Sequence, residues 1–450
     1  MTCIFVSVCQ LKPRRALGRM GIFSGNHRAR NEIQTSSPVF SVSFPPEFRM
    51  DSACWMALGN IKRNWLAEGR DGRNNPGSGC VPAAYQLHAF SRIKMSFSAS
   101  SASRTQRHGR NMFLLFVVLL LCACGNGYYR GPVSEHFDGS KFDNPWEPMP
   151  NRFGDFLKWR LTAERGYWPE HVPVEPTLPP ARVMGGELRV TYVGHATVLL
   201  QTQGVNILTD PIWSERASPL GFAGPRRVAA PGVRFEDLPP IDLVLISHNH
   251  YDHLDLPTLE RLHRAFNPLV LTPLGNDAII RSAIPDMRLS SLDWGQDFVF
   301  GKEMRFVLEP MQHWSARGLF DRLDALWGAF VIDAPGGAIY FLADAGYARH
   351  LSEDFMAKYG TPRMSLLPVG AYEPQWFMRY AHMNPAEAVQ TFLDLGQGPV
   401  MGTQHEVFPM ADEAYAAPRR EILEALQSRG IDESLFMLPK VGEWFTVPPR

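Results

Sequence analysis

Six consecutive residues, His248-Asn249-His250-Tyr251-Asp252-His253, gather three imidazoles and a carboxylate into one short stretch. Imidazole nitrogen suits zinc or iron, and the carboxylate adds a harder oxygen donor and negative charge, so the stretch reads as a ligand set for a divalent metal. A single histidine in a polar loop is usually just a hydrogen-bonded side chain. The spacing HxHxDH directly behind an apolar run is a far more specific signal.

That run, Asp242 to Ser247, is short and rich in branched residues, which predicts a buried strand with the motif in the loop at its carboxyl end. Open α/β sheets place their ligands at this position. Other histidines recur in the same setting. His313 follows a strand expected over Arg305–Leu308, and His405 follows one expected over Val400–Thr403. Asp344 follows a strand in Ala338–Leu342. Four strand ends would thus deliver ligands to one edge of the fold.

Around them the pattern alternates between strands and helices. Strands are expected at Leu188–Val193, Val198–Gln201, Val205–Leu208 and Leu269–Thr272. A hairpin is expected to join Leu326–Ile332 to Ala338–Leu342 through Pro335-Gly336-Gly337, and a closing strand lies near Trp444–Val447. Helices are expected at Asp155–Arg165, Leu256–Phe266, Asp277–Ala283 and Tyr415–Ser428. Another runs from the capping signal Asn384-Pro385-Ala386-Glu387 to about Leu395. This alternation predicts a four-layer αβ/βα sandwich, two packed mixed sheets with outer helices, over 186–450.

The 450 residues carry 45 basic and 45 acidic side chains, but unevenly. Residues 1–124 hold 16 Lys/Arg against 5 Asp/Glu, leaving 29 against 40 thereafter. An acidic body argues against a nucleic-acid partner. All six cysteines lie at or before Cys124, so a metal site in the body must use nitrogen and oxygen donors.

Ahead of the body, Arg104, Arg107 and Arg110 precede an apolar run from Met112 to Leu121 and then Cys122-Ala123-Cys124. This has the form of an export signal, shorter than the ~20 residues that span a bilayer. Leu121-Cys122-Ala123-Cys124 resembles a bacterial lipobox. Cys124 would then carry a lipid anchor, holding the protein on the periplasmic side of a membrane of the cell envelope. Residues 95–124 are accordingly expected to be a lipoprotein-type signal. Residues 1–94 are an upstream extension, disordered or outside the natural start at Met95 or Met112, and 125–185 form a Pro- and aromatic-rich arm.

Beyond the metal residues, several stretches carry a wider likeness. They include Tyr192-Val193-Gly194-His195-Ala196-Thr197, Leu208-Thr209-Asp210-Pro211, Gln312-His313-Trp314, Ala343-Asp344-Ala345-Gly346-Tyr347 and Gly370-Ala371-Tyr372-Glu373-Pro374. With HNHYDHLD they resemble the metallo-β-lactamase-fold hydrolase superfamily and, within it, the N-acyl-phosphatidylethanolamine-hydrolysing phospholipase D family. The resemblance implies two zinc ions, one held by His248, His250 and His313. Asp252, His253 and His405 would hold the second, with Asp344 bridging. It implies that His382 stabilises the phosphoryl or leaving group, that Asp252 also orients the attacking hydroxide, and that Tyr251 contacts substrate. His195 and Asp210 would orient ligand imidazoles. Two positions depart from the pattern: Ala381 stands where a polar Gln precedes the histidine in animal enzymes, and His405-Glu406-Val407-Phe408 replaces His-Trp-Gly-Thr-Phe. Both lie where a head group would sit.

The leading expectation is therefore a dizinc phosphodiesterase of the phospholipase D type acting on a membrane phospholipid. The alternatives are a lactone or small-phosphodiester hydrolase of the same fold and a non-catalytic envelope lipoprotein. The sequence leaves the oligomeric state open.

Overall fold

The computed structural model describes residues 127–150, 153–318 and 320–450. The expected extension, the export signal and Cys124 lie outside them. Among the described residues no helix is long and apolar enough to cross a membrane.

Two seven-stranded mixed sheets face each other. The first contains β1 (Leu188–Gly194), β2 (Thr197–Thr202), β3 (Val205–Thr209), β4 (Leu243–Leu245), β5 (Leu269–Pro273), β6 (Leu289–Leu292) and the closing strand β14 (Trp444–Val447). Their order is β14-β1-β2-β3-β4-β5-β6. The second contains β7 (Asp297–Phe300), β8 (Met304–Glu309), β9 (Ala329–Asp333), β10 (Ile339–Phe341), β11 (Met364–Pro368), β12 (Val400–Thr403) and β13 (Phe436–Met437). Their order is β13-β12-β11-β10-β9-β8-β7. Each sheet is half antiparallel meander and half parallel: β3 to β6 run parallel in the first, β10 to β13 in the second.

Outer helices are α2 (Leu256–Phe266), α3 (Asn276–Ala283), α4 (Arg349–Tyr359), α6 (Pro385–Asp394) and α7 (Ala417–Ser428), while α1 (Phe153–Thr162) and α5 (Gln375–Met378) pack on each other. Side-chain alternation shows why the parallel strands are apolar throughout. Leu243 and Leu245 join the core between the sheets, while Val244 joins Leu259, Leu262, Ile279 and Ile280 beneath α2 and α3. With both faces covered, these strands leave only their carboxyl ends free to carry polar residues.

α2 and the strands β12 and β14 keep their expected bounds, and the other expected elements shift by a few residues. The Pro335-Gly336-Gly337 turn joins antiparallel β9 and β10, with φ of 96° and 112° at its two glycines. Six strands and helices lie outside the sequence expectation: β6, β7, β11, β13, α4 and α5. β11 is a fully buried run ending in Pro368, and α4 has a weak apolar stripe with only Ser352 and Phe355 buried. Neither carries a periodic signal of its own.

Candidate metal centre

The loops at the carboxyl ends of the strands converge on one buried cluster. The loop from β4 to α2 supplies His248, His250, Asp252 and His253. The loop after β8 supplies His313, the end of β10 supplies Asp344, and the turn after α5 supplies His382. His248, His250 and His313 bring ring nitrogens within 4.8 Å of one another, and so do the ligand atoms of His313, Asp344 and His382. His253 Nε2 lies 3.2 Å from Asp252 Oδ2 and 3.1 Å from Asp344 Oδ2, and His382 Nδ1 lies 3.8 Å from Asp344 Oδ2.

Three of the imidazoles have one nitrogen engaged behind the cluster, which aims the other into it. Ser247 Oγ meets His248 Nδ1 at 2.9 Å, Asp210 Oδ2 meets His253 Nδ1 at 2.7 Å, and the Ala381 carbonyl meets His313 Nδ1 at 2.9 Å. Asp210 also accepts from the Ser247 amide and hydroxyl, locking the residue ahead of the motif. His195 Nε2 contacts Asp252 Oδ2 at 2.9 Å, so His195, Asp252 and His253 form a further group of potential ligands. The nitrogens left inward are close: His248 Nε2 to His250 Nδ1 is 2.9 Å and His313 Nε2 to His250 Nδ1 is 3.3 Å.

Burial keeps most of these imidazoles neutral. It drives His248 and His313 well below the ordinary histidine range, takes His250 down to about 4, and lowers His382. His253 goes the other way: burial opposes its proton, but the carboxylates of Asp344, Asp252 and Asp210 hold it. Burial also opposes ionisation of Asp252 and Asp344, yet His253 keeps both well below the carboxylate range. The buried atoms without a hydrogen-bond partner include His250 Nε2, Asp344 Oδ1, His382 Nδ1 and both ring nitrogens of His405. Neutral nitrogens and ionised carboxylates packed without partners are donors that divalent cations satisfy, so the residues present fit a metal centre.

The structure does not bring His405 into any of these groups. Its ring stacks on Tyr192 at 5.2 Å, its Nδ1 lies 3.6 Å from Glu406, and neither ring nitrogen has a hydrogen-bond partner. The neighbouring Gln404 reaches in instead, donating from Nε2 to Asp344 Oδ2 at 2.7 Å. Gln404 and Glu406 both have φ near 60°, as does His195. Such left-handed backbone at non-glycine residues is unusual and here sets which side chains of the strand end face the cluster.

Several contributors carried no signal of their own in the sequence. Gln404 and Ser247 adjoin predicted ligands, and adjacency is the one clue to them. Asn144 of the arm is fully buried and donates to the His313 carbonyl at 3.0 Å and to the Tyr380 hydroxyl at 2.6 Å. Arg317 donates to the carbonyls of Asn249 and Leu254, both at 2.8 Å, tying together the two ends of the ligand loop. Its guanidinium lies 4.0 Å over the ring of Tyr251, so Tyr251 packs at the rim of the centre against a cation.

Residues 205–404 match a family model described as a β-lactamase superfamily domain. The chain is 32% identical over 336 residues to N-acyl-phosphatidylethanolamine-hydrolyzing phospholipase D 1 of Caenorhabditis elegans, covering 70% of this chain and 94% of that one. It is 36% identical over 277 residues to an uncharacterized protein of Mycobacterium tuberculosis, covering 60% and 73%. Among solved structures, an isothiocyanate hydrolase from Delia radicum gut bacteria aligns at TM-score 0.47 and 23% identity, over 58% of this chain and 99% of that one.

Proposed function

Because the chain belongs to the N-acyl-phosphatidylethanolamine-hydrolysing phospholipase D family of metallo-β-lactamase-fold hydrolases, and is a metal-dependent hydrolase, we propose that it cleaves the phosphodiester of an N-acylated phospholipid at a two-zinc centre. The products would be phosphatidic acid and an N-acylethanolamine. The observation that carries this reading is the convergence of four imidazoles and two ionised carboxylates on one buried spot.

His248, His250 and His313 would hold one ion, Asp252 and His253 the other, with Asp344 between them. The contact of His195 with Asp252 offers His195 as an alternative to His405 for the second ion. When bound, the ions supply a water close to ionisation at neutral pH and positive charge for the phosphoryl oxygens. Asp252, kept ionised beside His253, would orient that water. His382, mostly neutral because burial lowers its proton affinity, sits beside Asp344 at the edge of the cluster. There it can hydrogen-bond a phosphoryl oxygen or the departing oxygen.

A membrane substrate is supported by the surface beside this edge. Phe156, Leu157 and Leu161 of α1 and Trp376 of α5 are exposed, and the backbone amide of His382 bonds back to Met378 at the end of α5. Such a patch is unusual on a protein with no partner for it. Lipidation at Cys124 and an envelope location belong to the same proposal. Mass spectrometry of the protein purified from membranes tests them, a diacylated peptide beginning at Cys124 being the expected species.

The experiment is turnover by the full chain, zinc-loaded and in detergent. The panel holds N-acyl-phosphatidylethanolamine, phosphatidylethanolamine, bis-p-nitrophenyl phosphate and an acyl lactone, with Asp344→Asn as blank. Turnover of the N-acylated lipid, absent in the blank, is expected. Turnover of the small diester or lactone alone would overturn the lipid assignment.

A further inference from the structure

A second cavity, of about 310 Å³, lies between α1, α5 and the loop after β12. Trp159, Thr162, Glu164, Glu373, Pro374, Trp376 and Asp412 line it. Its composition is unlike that of the metal centre: two indoles and three carboxylates, with no histidine. Asp412 is only 9% exposed, and while Oδ2 accepts from Trp159 Nε1 at 2.9 Å, Oδ1 is buried with no hydrogen-bond partner. A buried carboxylate oxygen left unpartnered beside aromatic walls is costly unless a cation completes it.

The indole of Trp376 already holds a cation. The Lys158 ammonium sits 4.3 Å from its ring centroid, the geometry in which an aromatic face attracts a positive head. A metal ion would need a shell of oxygen donors that the indoles do not supply. A compact organic cation uses both kinds of wall, its charge on the carboxylates and its alkyl substituents on the rings. The volume is at the small end of ligand sites and suits a head of a few heavy atoms.

We propose that this cavity binds a substituted ammonium group of the choline type. The ammonium reaches the site either on a phospholipid head group, with the exposed side chains of α1 set against acyl chains, or on a soluble amine. The substrate proposed above carries a neutral amide nitrogen, so this site serves a different molecule and stands apart from turnover.

Saturation-transfer NMR of choline with the full chain, at ionic strength matched with sodium chloride, tests it. Saturable binding is expected, weakened about tenfold in Trp376→Leu and in Asp412→Asn. No saturable signal, or equal binding by Trp376→Leu and the parent, would overturn the proposal. Vesicles separate the sources. Retention on phosphatidylcholine but not phosphatidylglycerol vesicles, released by free choline, identifies the head group. Choline binding with equal retention on both identifies a soluble amine. None of these readouts depends on phosphodiesterase activity.

Discussion

At the residue scale, the centre depends on groups that never touch a substrate. Asp210 and Ser247 orient His253 and His248 from behind, through bonds of 2.7 and 2.9 Å. Removing such partners typically costs about 10–100-fold in metal affinity. Asp210→Ala is therefore expected to lose zinc to a competing chelator at concentrations about 10–100-fold lower than the parent, with far-ultraviolet circular dichroism unchanged. The same assay ranks the two candidates for the second site: His195→Ala is expected to lose one equivalent of zinc, His405→Ala to keep both. The HxHxDH spacing and the paired strand-end residues made most of this cluster legible in the sequence. His405 was legible as a strand-end histidine, but the left-handed backbone at Gln404 and Glu406, which turns Gln404 towards Asp344, was not. Asn144 was not either, since nothing near it in the chain announces a contact with His313, 169 positions away.

At the element scale, close backbone packing holds the loops in register. A side chain at Gly346 would place its Cβ 2.0 Å from the carbonyl oxygen of Tyr380, in the turn that carries His382. Gly346→Ala must displace that turn, so kcat is expected to fall on the order of 10²-fold while zinc content stays at the parental level. Elemental analysis beside the rate measurement checks both halves. α6, which follows the turn, begins with a complete capping box: Asn384 accepts from the Glu387 amide at 2.9 Å, and Glu387 accepts from the Asn384 amide at 3.1 Å. Asn384→Ala is expected to cost about 1 kcal/mol, read as a shift in the urea midpoint. This helix was legible because its cap is written in four adjacent residues. β11 and α4 were not, because a short apolar run and a weakly amphipathic helix take their form from the sheet they pack against.

At the scale of the whole molecule, charge and metal set the range over which the fold persists. Glu406 is bound by Arg419 through two nitrogens at 2.8 and 2.9 Å. Burial alone would raise its pKa, but Arg419 and His405 take it down to about 2 from the ordinary 4.5. A depressed acid contributes its full stability above the unfolded value and loses it as pH falls through the folded one. The loss is therefore expected between about pH 4.5 and 2, and Glu406→Gln should flatten the Tm profile across that window. Metal acts in the same direction. Ligands that bind only the folded chain at about a thousand times Kd add about 4 kcal/mol, so chelation should lower Tm by on the order of 10 °C. The central claim concerns the bond that breaks, and isotope placement reads it directly. Hydrolysis of N-acyl-phosphatidylethanolamine in ¹⁸O-water is expected to put one labelled oxygen on the phosphate of phosphatidic acid, with none in the N-acylethanolamine. Label in a released fatty acid, or phosphatidic acid without label, would contradict attack at phosphorus.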